Sequence, residues 1–163
     1  MLNVKIYNGI VSKEADKEPN LVRVTARALI KKNNKYGVLY SQSENGYVTP
    51  GGGVEEGESL EETCMRETLE EAGVKVKPLK RVAIISCYHE KVSIRHNYYL
   101  CEYLLEGHQT NYTQKEAAQK LQLLWLTYNE LIKVFTTSDN KKNNWINWHR
   151  CEYMAITELK SHI

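Results

Sequence analysis

Gly52-Gly53-Val54-Glu55-Glu56-Gly57-Glu58-Ser59-Leu60-Glu61-Glu62-Thr63-Cys64-Met65-Arg66-Glu67-Thr68-Leu69-Glu70-Glu71-Ala72-Gly73-Val74 begins as a glycine-rich turn and continues as a helix. Gly51, Gly52 and Gly53 leave the backbone free to take positive φ and to approach a ligand closely. Ser59 has the chemistry of an N-cap, and Glu62, three residues on, completes a capping box. Leu60, Cys64, Met65, Thr68, Leu69 and Ala72 recur at helical spacing and make one mostly apolar face. Gly73 suits the left-handed position past the last turn. The pattern predicts a loop, a helix of about 13 residues and a stop.

The other face of that helix carries the chemistry. Glu67, Glu70 and Glu71 stand at i, i+3 and i+4 and project within an arc of about 100°. Three carboxylates this close repel one another. They become compatible when cations sit between them, and hard oxygen ligands select Mg²⁺ or Mn²⁺. A solvated Glu-rich helix would carry Lys or Arg one turn away from its acids. Here eight Glu face one Arg between Val54 and Glu71, a net −7. That Arg66 can pair with Glu70 one turn on or reach back to Glu58, holding the loop against the helix.

The stretch resembles the Nudix hydrolase family. The family's box is Gly, five residues, Glu, seven residues, Arg-Glu, a bulky apolar residue, any residue, Glu-Glu, any residue, Gly and a bulky apolar residue. Gly52, Glu58, Arg66, Glu67, Glu70, Glu71, Gly73 and Val74 fall in register with it. Thr68 departs, standing where the family prefers an aliphatic side chain; its place on the apolar face makes this a question of packing.

The chain of 163 residues is long enough for one domain, 1–163, with a real core. Its formal charge is +2, so everything outside the −7 stretch carries +9. An acidic metal site in basic surroundings suits a polyanionic substrate. Lys31-Lys32 and Lys141-Lys142 are too short to make a nucleic-acid surface. Cys64, Cys87, Cys101 and Cys151 are scattered without a CxxC pair, which suggests neither a zinc site nor disulfides. His89 and His96 have no companion at metal-ligand spacing and read as ordinary polar residues. No signal peptide, lipidation motif or apolar run of spanning length is present, so a reduced cytoplasmic protein without membrane contact is expected.

Residues 2–8 alternate weakly, as an edge strand, and Val11 to Asn20 reads as a charged loop. Leu21 to Ile30 has the two-residue period of a strand, which points Arg23 and Arg27 the same way. Asn33-Asn34 and Asn45-Gly46 are turn signals, with a strand Tyr36 to Tyr40 between them. Tyr47 leads into the glycine loop and either packs beneath it or lines the pocket. Val74 to Val76, Leu79 to Tyr88 and Val92 to Leu105 read as strands, with a turn at His89-Glu90-Lys91. Glu106 to Gln122 lacks periodicity and is long for a passive connection, which suits a lid over substrate; its Lys115–Leu121 portion would alternatively form a short surface helix. Leu123 to Leu126 is a short buried strand, Thr127 with Glu130 caps a helix over Tyr128–Phe135, and Asp139 to Asn144 is a polar linker. Trp145, Trp148, Cys151, Ala155 and Leu159 make the inner stripe of a closing helix, whose aromatic content also suits a homodimer interface.

Strands on both sides of a central helix, with more helix at the end, favour a mixed sheet between helices. The resemblance makes this a Nudix-type α/β/α sandwich. It implies a Mg²⁺-dependent hydrolase of phosphoanhydride bonds in nucleoside diphosphate-linked, nucleotide-type substrates. Glu67, Glu70 and Glu71 would hold the metal with a carbonyl of the Gly51–Gly53 loop, such as that of Gly52. Proton removal would fall to one of those glutamates or to Glu116, in a loop where many Nudix enzymes place substrate contacts. The strand bearing Arg23 and Arg27 lies beside the family's substrate pocket, so one of these arginines would contact phosphate or base, the alternative being a plain exposed strand face; Tyr47 would line the same pocket if it does not pack beneath the loop. Isopentenyl diphosphate isomerases and non-catalytic ligand-sensing Nudix domains share the fold, and the intact box favours a hydrolase over both. ADP-ribose pyrophosphatase-like subfamilies carry a proline some fifteen residues past the box; here that region is Tyr88-His89-Glu90.

Overall fold

In chain order the elements are β1 (Leu2–Tyr7), β2 (Ile10–Ser12), β3 (Val22–Lys32), β4 (Lys35–Ser41), β5 (Gly46–Val48), β6 (Gly51–Gly53), α1 (Leu60–Ala72), β7 (Val74–Tyr88), β8 (Ser93–Glu106), α2 (Gln114–Gln119), β9 (Leu121–Thr127), α3 (Tyr128–Thr137) and α4 (Asn143–Leu159). This computed structural model describes residues 1–7, 10–12, 22–88, 93–137 and 143–162. The anticipated turn at His89–Lys91 and most of the linker from Asp139 lie outside the described residues, as does most of the loop assigned to Val11–Asn20.

The strands form one mixed sheet in the order β2-β1-β7-β8-β3-β4-β5, with β6 added to β3 and β9 to β4. β3 explains its two faces. Ala26, Ala28 and Ile30 point to one side, where they pack with Cys64, Val74, Val76, Tyr99 and Cys101 beneath α1. Leu29 points to the other, into a larger core with Ile85, Tyr98, Leu131, Phe135, Ala155, Ile156 and Leu159 under α3 and α4. Each large aliphatic side chain fully buried there stabilises the fold by roughly 1.5–3 kcal/mol, so the weight of the apolar core lies behind the sheet. The result is the expected α/β/α sandwich with a mixed sheet.

Two expectations need correction. β1 is not an edge strand: it runs parallel to β7 and carries β2 on its outer side, a strand whose three residues were too short to show periodicity. Met65 is 38% exposed rather than part of the inner face of α1. In the closing helix Cys151, Ala155 and Leu159 are buried as the stripe required, while the side chains of Trp145 and Trp148 lie outside what the structure describes. Among the described residues no helix is long and apolar enough to cross a membrane.

α1 starts and stops as its sequence dictates. Ser59 is extended, its hydroxyl accepts from the Glu62 N–H, and the Glu62 carboxylate accepts from the Ser59 N–H at 2.8 Å. Gly73 takes φ 65° and donates its N–H to the Leu69 carbonyl at 3.0 Å. Yet α1 fully buries only Thr63, Cys64 and Thr68. So thin an apolar seam cannot fix the helix by itself, and polar ties complete the attachment.

Thr68 sits at 0% exposure, and its hydroxyl donates to the Cys64 carbonyl one turn back at 2.7 Å. The hydroxyl is therefore satisfied within its own helix. Thr68→Val should keep activity and change unfolding free energy by no more than about 1–2 kcal/mol in either direction, as read from urea denaturation. A variant that folds normally but loses turnover would give Thr68 a part in the chemistry.

Candidate active site

The glycine loop enters the sheet as a strand. β3 and β4 pair only near their turn, over Ile30–Lys32, and the space that opens beside β3 is filled by β6, with Ala26 opposite Gly52 and Arg27 opposite Gly51. Gly51 has φ 147°, and a Cβ there would lie 2.3 Å from the Ala26 carbonyl oxygen. At Gly52 the obstacle is different: a Cβ would lie 2.3 Å from a carboxylate oxygen of Glu67. The missing side chain at Gly52 is the space that the Glu67 carboxylate occupies. The Gly51 N–H donates to Glu71 Oε2 at 2.8 Å. Glu67 and Glu71 are thus both drawn against the loop.

Arg66 binds the rest together. Its Nε and Nη2 donate to the two oxygens of Glu58 at 2.6 and 3.0 Å, a bidentate pair. Nη2 also donates to the Gly53 carbonyl at 3.1 Å. Nη1 donates to Glu67 Oε1 at 2.9 Å and to Glu70 Oε2 at 3.1 Å. Both sequence-derived alternatives for Arg66, Glu70 and Glu58, are realised at once. The guanidinium, joined by the Thr63 hydroxyl and the Glu55 N–H, holds the Glu58 carboxyl down at about 2. Glu58 in return raises the Arg66 pKa.

Glu58, Glu67 and Glu70 converge on this one arginine and Glu71 on the adjoining Gly51 N–H, so these four carboxylates and one guanidinium leave a formal excess of three negative charges. The donors are all oxygens, which Mg²⁺ and Mn²⁺ prefer. The residues present therefore fit a hard divalent cation.

An open cleft of about 640 Å³ lies beside the carboxylates, lined by Arg23, Val24, Gly53, Val54, Glu55 and Glu67. Arg23 is exposed, and its Nη2 comes within 3.4 Å of the position a Gly53 Cβ would take. Arg27 departs from the expected substrate role. It is 2% exposed, and its guanidinium donates to Thr49 Oγ1 at 3.0 Å, to the Gly51 carbonyl at 3.0 Å and to the Thr49 carbonyl. Its Nε also lies 3.1 Å from the buried Glu152 carboxylate of α4. Arg27 braces the glycine loop from behind. Tyr47 also packs: its ring lies against Tyr40 and Phe135, with centroids 5.1 and 6.4 Å away.

The segment expected to form a lid is anchored at its first half. The N–H groups of His108 and Asn111 donate to the carbonyls of Gly73 and Glu70, and the Tyr112 hydroxyl donates to the Glu71 carbonyl. These bonds satisfy carbonyls left over at the end of α1. The second half forms α2, the short helix raised as the alternative; Glu116 lies on it, and its side chain is outside what the structure describes. Glu152 and Thr49 went unrecognised in the sequence. The available signal was the position of Glu152, three and seven residues before Ala155 and Leu159 and so on the inner side of the closing helix.

A family model described as the NUDIX domain matches residues 21–149. The chain belongs to the Nudix family. Among solved structures it is similar to a NUDIX hydrolase from Nitrosomonas europaea, with TM-score 0.61 and 18% identity over 85% of this chain and 90% of that one. It is also similar to an ADP-ribose pyrophosphatase from Streptococcus suis, with TM-score 0.55 and 16% identity over 85% and 91%. A UDP-X diphosphatase matches with TM-score 0.55 and 23% identity over 86% of this chain and 66% of that chain. At these identities the likeness is one of fold. No curated protein matches the sequence significantly.

The two glycines should fail in different ways. Gly52→Ala displaces the flexible Glu67 carboxylate, so it should spare the melting temperature and lower kcat/KM on the order of 10²-fold, the cost of misplacing a group by about 1 Å. Gly51→Ala meets backbone at positive φ and should cost about 1–3 kcal/mol of stability. Thermal melts with steady-state assays separate the two, and equal behaviour would contradict the loop geometry.

Glu58 gives a second check. Its folded pKa of about 2 lies below the ordinary 4.5, so the stability it contributes is fully present above pH 4.5 and is lost as pH falls toward 2. Carbon-13 NMR of the Glu58 carboxyl should show a midpoint near the lower value. A midpoint near 4.5 would mean that Arg66 does not hold Glu58 in solution.

Proposed function

We propose that this Nudix domain is a Mg²⁺-dependent pyrophosphohydrolase that splits a phosphoanhydride in a nucleoside diphosphate linked to another group. The observation that supports it most is the gathering of Glu67, Glu70 and Glu71 around Arg66 and the glycine loop, at the edge of a cleft that Arg23 enters. Glu67, Glu70 and Glu71 would hold the divalent cation, with the Gly52 carbonyl as a further oxygen ligand. Mg²⁺ bound there lowers the pKa of a bound water and neutralises charge on the phosphates.

The chain's own residues supply the rest. Arg23 takes a phosphate oxygen of the substrate, and Val24 and Val54 give the cleft apolar walls. Arg66 orients Glu67 and Glu70 while Glu58 holds Arg66 in place. Proton removal from the attacking water belongs to Glu70 or Glu71, or to Glu116 if α2 brings it over the cleft. The relatives described as an ADP-ribose pyrophosphatase and a UDP-X diphosphatase support the substrate class. An isomerase-type role is disfavoured because all four cysteines are buried, whereas that chemistry needs a cysteine facing the acidic group.

The test is nucleotide or phosphate release from a panel of sugar nucleotides, dinucleoside polyphosphates and damaged nucleoside triphosphates, with Mg²⁺ and with chelator. Activity should vanish on chelation. Glu70→Gln and Glu71→Gln should each lower kcat by on the order of 10²-fold, about 2.7 kcal/mol of barrier, without loss of folding. Near-normal turnover in both variants would sink the metal assignment.

A further inference from the structure

The four cysteines are all buried, and they meet in two pairs. Cys64 of α1 faces Cys101 of β8 with the sulfurs 3.7 Å apart. Cys87 of β7 faces Cys151 of α4 at 2.7 Å. Among the described residues, only the second pair has a histidine within ligand distance of both sulfurs. His96 of β8 presents a ring nitrogen, and this atom and the Cys87 and Cys151 sulfurs all lie within 4.8 Å of one another. The three residues are 4%, 2% and 1% exposed in chain order. Their separation in sequence hid the cluster, since no two stand at metal-ligand spacing.

A second observation points to the same place. The Tyr98 hydroxyl is fully buried and makes no hydrogen bond, a costly condition for a polar group. Glu152, Cys151, Arg27 and Cys87 are near it, and its ring lies 6.2 Å from that of His96. A polar group without a partner thus sits beside two thiols and an imidazole.

We propose that Cys87, His96 and Cys151 form a buried metal site for Zn²⁺, with the Tyr98 hydroxyl on its fourth side. Two thiolates and an imidazole are the donors that this ion takes in tetrahedral sites, and a fourth donor completes the set. Binding releases the two thiol protons, so the ion and its two thiolates are neutral together and suit an apolar interior. His96 reaches the pair from β8 inside an interior that favours the neutral imidazole. Its Nδ1 lies 2.9 Å from the Thr25 hydroxyl, a contact that orients the ring. Zn–S bonds of about 2.3 Å place two sulfurs about 3.8 Å apart at a tetrahedral angle, so seating the ion separates Cys87 and Cys151 by about 1 Å. A disulfide between them would leave His96 and Tyr98 without a part.

The site is distinct from the acidic one in place and in chemistry. It joins β7, β8 and α4 behind the sheet, and Cys151 adjoins Glu152, which steadies Arg27 and the glycine loop. It stands or falls independently of the proposed hydrolysis.

The experiment uses the full chain, refolded under reducing conditions with Co²⁺ as probe. Thiolate-to-cobalt charge transfer and intense tetrahedral d–d bands should saturate at one equivalent. Carboxylates cannot give the charge-transfer bands, so Co²⁺ at Glu67, Glu70 and Glu71 does not imitate the result. Cys87→Ser and Cys151→Ser should lose the bands, and the Cys64→Ser, Cys101→Ser double variant should keep them. Because the single variants can fail to fold, X-ray absorption at the zinc edge on the zinc-loaded native chain supplies the second measurement: two sulfurs with nitrogen support the site. Oxygen and nitrogen ligands alone, no retained zinc after dialysis, or a mass lower by two hydrogens with Cys87 linked to Cys151 would each overturn it.

Discussion

Carboxylates gathered around one guanidinium are the constraint on which this molecule is built. Two like charges about 4 Å apart repel by about 4 kcal/mol at the effective dielectric of a protein surface, so Glu58, Glu67 and Glu70 could not converge without Arg66 among them. Arg66 acts on three parts at once: the entrance of α1 through Glu58, the glycine loop through the Gly53 carbonyl, and the acidic face through Glu67 and Glu70. One cation does not cancel these three anions, and Glu71 adds a fourth at the Gly51 N–H. The remaining negative charge is what fits the place to a cation as well as making it a structural joint.

The glycine loop is held from both sides. In front, Glu71 accepts from the Gly51 N–H and Arg66 donates to the Gly53 carbonyl. Behind, Arg27 donates to the Gly51 carbonyl, and the Thr49 hydroxyl donates to Glu152 at 2.7 Å. Glu152 is fully buried, which a carboxylate tolerates only when paired and hydrogen-bonded. Removing one partner of such a pair typically costs about 3–5 kcal/mol, although the intact pair contributes little net stability. Its value here is positional. It ties α4 to a loop 103 residues earlier in the chain, so the rear helix helps to set where Glu67 and Glu71 meet the backbone.

Local chemistry was legible in the sequence and contacts across the sheet were not. The cap of α1 at Ser59, its stop at Gly73 and the shared face of Glu67, Glu70 and Glu71 follow from spacings of three or four residues, and all appear in the structure. The Thr68–Cys64 bond was likewise readable, because donor and acceptor are one turn apart. Strand period put Arg23 and Arg27 on one face correctly, yet it carries no information about what covers that face. Where α4 lies over β3, the arginine is buried against Glu152; at Arg23 the face opens into the cleft. The same ignorance of tertiary neighbours made Tyr47 ambiguous and left His96 without companions.

The polar layer behind the sheet follows from the same geometry. Thr25 and Arg27 share the face of β3 that looks toward α4, and β8 lies parallel alongside with Thr25 opposite His96. A strand bearing threonine and arginine in its buried half would be unfavourable alone, since each polar group needs a partner. Histidine beside Thr25, and threonine and glutamate beside Arg27, supply those partners from three other parts of the chain. Burial first, and then the positive charge of Arg27, keep His96 neutral. An arginine that turns away from the cleft therefore works on both sides of its position: it fixes the loop that receives Glu67 and Glu71, and it adds to the burial that leaves the neighbouring imidazole unprotonated, the form in which a histidine can bind a metal.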